Sequence, residues 1–151
     1  MESFFNLRSQ TKNKATILNF DEIKVGSSYS FKRTITSQDV LQFSSLSGDV
    51  NPLHVDDEFA KKSPFRKKVV HGLLTASLFS TLIGMYCPGQ NSLYLSQTLR
   101  FKKPLFYDET VNVSGIVMAK VDSLKIVTIK TEITREADLI VSGEAQVKII
   151  I

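Results

Sequence analysis

From Val69 to Leu99 the chain carries no Asp, Glu, Lys or Arg. An uncharged run of that length belongs inside either a bilayer or a protein core, and its internal pattern decides which. Its helical part, His71 to Tyr86, is interrupted by Thr75, Ser77, Ser80 and Thr81 and stopped by Pro88-Gly89. That falls short of the roughly 20 apolar residues of a membrane span. A buried helix, apolar nearly all round, is the expectation, and such a helix needs covering on every side.

The cover is written in the second half of the chain, where the period changes from helix to strand. Leu93, Leu95 and Gln97 alternate with Tyr94, Ser96 and Thr98; Val111, Val113 and Gly115 with Asn112 and Ser114; Val127, Ile129, Thr131 and Ile133 with Thr128, Lys130 and Glu132. Leu139, Val141, Ala145, Val147 and Ile149 share one face, opposite Ser142, Glu144, Gln146 and Lys148. With Tyr29 to Ile35 this gives about five strands, most with one wet face, which favours an antiparallel sheet. The fold expected is α+β, a single domain in which a curved antiparallel sheet wraps a long central helix. Residues 1–20 read as a flexible N-terminal segment and 21–151 as the domain. One sheet cannot cover a helix that is apolar all round, so a homodimer is expected. After Tyr29 to Ile35, Thr36-Ser37-Gln38-Asp39 is a capping signal for a helix with apolar positions Val40, Leu41, Phe43 and Leu46, ended by Gly48.

Charge and cysteine count remove several classes. One cysteine, Cys87, cannot form an internal disulfide, and with only two histidines the usual zinc cages are out of reach, although carboxylates could hold a hard cation. The net charge of +4 is local: Lys61, Lys62, Arg66, Lys67 and Lys68 hold the excess. A polynucleotide would need a contiguous stripe; one short cluster suits a compact anion or a solvated loop equally. No nucleic-acid partner is expected. The first 15 residues lack the apolar core of a secretory signal, which points to the cytoplasm, with the mitochondrial matrix as the alternative.

The chemistry is concentrated in Phe43 to His54, continuing to Phe59-Ala60. Gly48 stops a helix, and Asp49 and His54 then stand five apart around Pro52, where a helix would hold partners four apart. A loop folded round Pro52 can bring carboxylate and imidazole to one water. The same spacing also suits a turn-capping Asp49 and an ordinary half-buried His54.

These residues resemble the hydratase-2 signature of the MaoC-like family, the (R)-specific enoyl-CoA hydratases: an aromatic at Phe43, Leu46, Ser47-Gly48-Asp49, Asn51-Pro52-Leu53-His54 and Ala60. The likeness continues through Val70-His71-Gly72-Leu73-Leu74, Ala76 to Ser80, Pro88-Gly89, Tyr94-Leu95, Phe101, Pro104 and Gly143-Glu144-Ala145. It implies a hot-dog homodimer that adds water reversibly to a trans-2-enoyl-CoA, giving the (R)-3-hydroxyacyl-CoA, without metal or organic cofactor. Asp49 and His54 become the catalytic dyad and Gly72 the oxyanion donor.

Asn51 is expected to fix the loop or bond a dyad member. Ser80 matches a family serine near the site, though a hydroxyl bonded to its own helix reads as well, and His71 is expected to be mainly structural. Lys62, Arg66 and Lys67 are candidates for the phosphates of coenzyme A or the acidic face of an acyl carrier protein, with Arg100, Lys102 and Lys103 as further ones. Leu53, Phe79 and Leu82 are candidates for the acyl-tunnel lining. The rival readings are a 3-hydroxyacyl-carrier-protein dehydratase and a non-catalytic acyl-thioester module. Dehydratases and thioesterases that place a carboxylate on the central helix are disfavoured, because His71 to Tyr86 contains none.

Overall fold

Period-two alternation becomes a five-stranded antiparallel sheet in the order β1-β3-β4-β5-β2. Its strands are β1 (Ser28–Thr34), β2 (Ser92–Phe101), β3 (Thr110–Val121), β4 (Ile126–Arg135) and β5 (Asp138–Ile149). The computed structural model describes residues 14–151. Part of the segment expected to be flexible, residues 1–13, lies outside the described residues. Thr16 donates to the Met85 carbonyl at 3.0 Å and accepts from Gln90 N at 2.8 Å.

Four helices occupy the first half: α1 (Ser37–Ser47), α2 (Pro52–Val55), α3 (Asp57–Lys62) and α4 (Gly72–Thr81), the last continued by a wider π turn over Leu82–Tyr86. The chain therefore adopts the α+β hot-dog arrangement expected from its sequence. Phe79 and Leu82 pack with Val111, Val113, Ile133 and Val141, and Ile83 packs with Val117, Val127, Ala145 and Val147, so helix and sheet share one core. Among the described residues no helix is long and apolar enough to cross a membrane.

Two expectations need correction. The central helix is not buried all round: Leu73, Ser77, Ser80 and Thr81 form an exposed stripe at helical spacing. On α1 only Val40 of the expected apolar set is buried, while Leu41 is 60% and Leu46 87% exposed. A single copy of the sheet has one concave side, and these residues lie beyond it.

Strict alternation also fails on β5. Ile133 pairs with Val141 and Thr134 with Leu139, leaving Ile140 as an extra residue. This bulge turns both Ile140 and Val141 inward, each 1% exposed. The Ile140 carbonyl then accepts from Lys102 N and Lys103 N at 2.8 and 3.4 Å, fixing the chain just past β2 beside the start of α4.

Candidate active site

The dyad loop is built by short-range bonds. Gly48 takes φ +77°, the left-handed conformation that ends α1, and its N–H reaches Ser44 O at 2.9 Å. Asp49 Oδ1 then accepts from Asn51 N at 3.1 Å, and Asn51 Oδ1 from Leu53 N at 3.0 Å. These are two successive Asx turns. Asn51 thus caps α2 with Pro52 in its first turn, where a missing N–H costs nothing, and His54 lies on that single turn.

His54 is oriented from the far side of the loop. Its Nδ1 lies 2.7 Å from Val69 O. A carbonyl can only accept, so Nδ1 carries the proton and neutral His54 offers the lone pair of Nε2. The turn is held by Val69 N to Leu53 O at 3.2 Å and by Tyr107 Oη, which donates to the His54 carbonyl. Burial, with Asp57 nearby, raises the Tyr107 pKa and keeps the phenol a donor.

His71 is the hidden member of the cluster. It is 2% exposed, caps α4, and places Nε2 3.0 Å from Asp49 O and 3.8 Å from Asp49 Oδ2. Its ring centroid is 3.9 Å from that of His54. Since Nε2 must donate to the Asp49 carbonyl, the neutral ring leaves Nδ1 without a proton, and that atom is buried with no partner among the described residues. Asp49, His54 and His71 each bring one potential donor atom within 4.8 Å of the others. A hard cation fits this set poorly, because the His71 Nε2 proton is committed and only one carboxylate is present.

The spacing suits water better. A water bonded to two acceptors at ~2.8 Å and a near-tetrahedral angle spans about 4.6 Å. The cavity around the pair is lined by Phe43, Asp49, His54, His71, Gly72 and Leu73, with Phe101 at its edge. Gly72 opens α4, so its N–H has no acceptor within the helix. A Cβ at Gly72 would stand 3.0 Å from Phe101 Cε1, so the Phe101 ring lies directly over this glycine.

Other expected residues lie elsewhere. Ser80 is exposed and lines a separate groove with Tyr94 and Gln97. Phe79, 1% exposed, belongs to the core with Leu82, and Leu53 lines neither cavity that reaches His54. Helical geometry turns Phe79 toward the sheet, away from the dyad. Lys62, Arg66 and Lys67 also line neither cavity; Lys67 Nζ sits 3.9 Å over the Phe106 ring and Arg66 bonds Lys61 O at 3.3 Å. Lys61 and Lys68 pair with Glu58 and Asp57 at 2.6 and 3.1 Å, so part of the basic run is neutralised by carboxylates at the start of α3. Sequence reasoning missed the Val69 carbonyl and Tyr107, which hold His54 from outside the motif. A backbone acceptor leaves no side-chain signal.

Residues 21–138 match the MaoC like domain family. The chain is 41% identical over 128 residues to an (R)-specific enoyl-CoA hydratase of Aeromonas caviae, covering 84% of this chain and 96% of that protein. A second (R)-specific enoyl-CoA hydratase, from Rhodospirillum rubrum, is 35% identical over 130 residues, covering 86% and 90%. Among solved structures, the A. caviae (R)-hydratase superposes with a TM-score of 0.81, covering 84% of this chain and 97% of that one. An unliganded R-hydratase from Pseudomonas aeruginosa, 30% identical, gives 0.85 over 90% and 88%. The chain belongs to the MaoC-like family of hot-dog proteins.

Proposed function

We propose that this protein is an (R)-specific enoyl-CoA hydratase, a hydro-lyase that adds water reversibly to a trans-2-enoyl-CoA to give the (R)-3-hydroxyacyl-CoA. The observation that carries this reading is the His54 Nδ1 bond to Val69 O, which leaves Nε2 as the ring's acceptor in a cluster where Asp49, His54 and His71 each bring a ligand atom within 4.8 Å of the others, in a cavity that Gly72 also lines. In the reaction, Asp49 and Nε2 hold the water. As its oxygen attacks Cβ, Nε2 takes one proton and electron density moves through the enoyl system to the thioester oxygen. The Gly72 N–H, with the α4 dipole behind it, meets that charge, an interaction worth roughly 3 kcal/mol of barrier. The imidazolium then returns a proton to Cα on the face just hydroxylated, so one C–O and one C–H bond form as one O–H bond breaks. The addition is syn, and the reverse path is dehydration.

Homodimer formation belongs to the same reading. The bare stripe of α4, with the groove it forms against Tyr94, Gln97 and Leu99 of edge strand β2, suits a second copy. We place the enzyme in the cytoplasm, with the mitochondrial matrix as the alternative.

The test is to follow loss of the conjugated enoyl thioester from crotonyl-CoA and resolve the product enantiomer. The expected product is (R)-3-hydroxybutyryl-CoA. No turnover by the folded protein, or an S product, would overturn the assignment. Light scattering should give twice the 16.9 kDa chain mass.

A further inference from the structure

His54 sits on a helix of one turn, and a single turn is not stable by itself in water. Within α2 and its caps the backbone closes His54 N to Asn51 O at 2.8 Å and Asp56 N to Pro52 O at 2.9 Å. The next two carbonyls of the turn are taken by other parts of the chain: Leu53 O accepts from Val69 N at 3.2 Å, and His54 O accepts from the Tyr107 hydroxyl. With the bond from His54 Nδ1 to Val69 O, two of the external contacts run to one residue. Two bonds to a single residue act as a hinge, about which the turn can still tilt. A third bond from a different segment removes that freedom, and Tyr107 supplies it.

The Tyr107 hydroxyl reaches His54 from a fixed base. Its residue lies in a turn where the Glu109 carboxylate accepts from Phe106 N at 2.9 Å, Asp108 takes φ +62° and Asp108 N donates to Ile35 O at 2.8 Å. The ring packs against the core that contains Phe79 and Leu105, and Lys68 Nζ, paired with Asp57 at 3.1 Å, lies 5.0 Å from the ring centroid. The ring is thus seated without help from its hydroxyl. Tyr107 lines neither the dyad cavity nor the second cavity that reaches His54, which is bordered by Val69, Phe101 and Lys102. It stands behind the imidazole, outside the space open to substrate.

We infer that Tyr107 is a positioning residue for the proposed reaction: through the His54 carbonyl it fixes the tilt of α2, and so the direction in which Nε2 meets the water. The catalytic consequence rests on the hydratase reading above; the orientation of the ring rests on the hydrogen bonds alone.

Tyr107→Phe removes the hydroxyl and keeps the ring, so the full-length variant should give a wild-type circular dichroism spectrum. The chain has two histidines, and His54→Ala tells their imidazole signals apart in ¹H–¹⁵N spectra. At pH 8 wild-type His54 should show one tautomer, protonated on Nδ1, and Tyr107→Phe a mixture of both. With crotonyl-CoA the variant should lose kcat about tenfold, on the order of a slightly misplaced reacting group, and keep KM within about twofold.

A hydroxyl that serves stability alone would lower the urea midpoint and leave both the tautomer and the kcat of the folded protein as in wild type. A single Nδ1-protonated tautomer in Tyr107→Phe, or an unchanged kcat where the wild type turns over, would overturn the proposal. A mixed tautomer in the variant, with no hydration of crotonyl-CoA by the wild type, would sustain the positioning of His54 and remove the hydratase reading instead.

Discussion

The His71 Nε2 proton is held by the backbone carbonyl of Asp49 at 3.0 Å while the His71 ring lies 3.9 Å from that of His54. One buried imidazole therefore sets the position of the carboxylate's main chain and backs the second imidazole. In the neutral form of both rings the protons sit on different nitrogens, Nδ1 in His54 and Nε2 in His71, each dictated by a carbonyl.

Replacing either Asp49 or His54 should abolish most activity without unfolding the protein. His54→Ala and Asp49→Asn should each reduce kcat with crotonyl-CoA at least a hundredfold, within the ~10²–10⁴ range of positioned acid–base groups. Circular dichroism spectra should match wild type. Folded variants with near-normal rates would remove both residues from the chemistry.

His71→Leu separates positioning from stability. It deletes the Nε2 bond to the Asp49 carbonyl and the longer one shared with the buried Ser44 hydroxyl, about 1–2 kcal/mol together, but also deletes Nδ1, a buried nitrogen with no partner among the described residues whose burial costs a similar amount. Denaturation midpoints should therefore barely move, while kcat falls roughly tenfold because the Asp49 backbone is released. A stable variant with unaltered kcat would deny His71 a positioning role.

At Gly72 the steric argument is specific. An added methyl group meets the Phe101 ring at 3.0 Å, and that ring is 52% exposed and free to yield. Gly72→Ala should cost under about 1 kcal/mol of stability but raise KM or lower kcat by narrowing the slot. Combining it with Phe101→Ala should restore part of the loss, a coupling that a double-mutant cycle would detect. Strict additivity would mean that the two residues do not share the slot.

Cys87 offers a pH test independent of catalysis. Burial pushes its thiol up to about 11 from an ordinary 9.0. The unfolded chain ionises first, so this contribution to stability is full below pH 9, falls between 9 and 11 and is spent above. Cys87→Ala should flatten that portion of the urea-stability profile, and a thiol reagent at pH 8 should label the wild type only after unfolding. Rapid labelling of the native protein would contradict the burial.

Much of the fold was readable because its signals are local. Alternation holds along β3 as far as Val117 and along β4, with Val111, Val113, Val117, Val127, Ile129 and Ile133 all buried; past Val117 a register shift against β4 breaks it. On β5 the same rule assigned Leu139 to the core and missed Ile140, because a bulge is fixed by pairing with β4 and not by the strand's own pattern. The loop from Gly48 to His54 was equally open to reading, since Asx turns and a proline act over two or three residues. The tunnel residues were not. Leu53 adjoins His54 in the chain and Phe79 shares the central helix with Gly72, but neither adjacency says which way a side chain faces; Phe79 turns into the core, and no spacing rule puts Lys102 on the same cavity as His54.

The dyad's immediate hydrogen bonds come mainly from one contiguous stretch, Ser44 to Gly72, moored through Val70 N to Leu105 O at 2.8 Å and through Tyr107 to His54. The sheet supplies a berth for that stretch and takes little part in orienting its carboxylate and imidazole. Substitutions on β3 and β4 that preserve packing should thus leave that orientation in place. Transplanting Ser44 to Gly72 into another hot-dog scaffold, with the Leu105 to Tyr107 mooring kept, should carry the reactive geometry across as a unit.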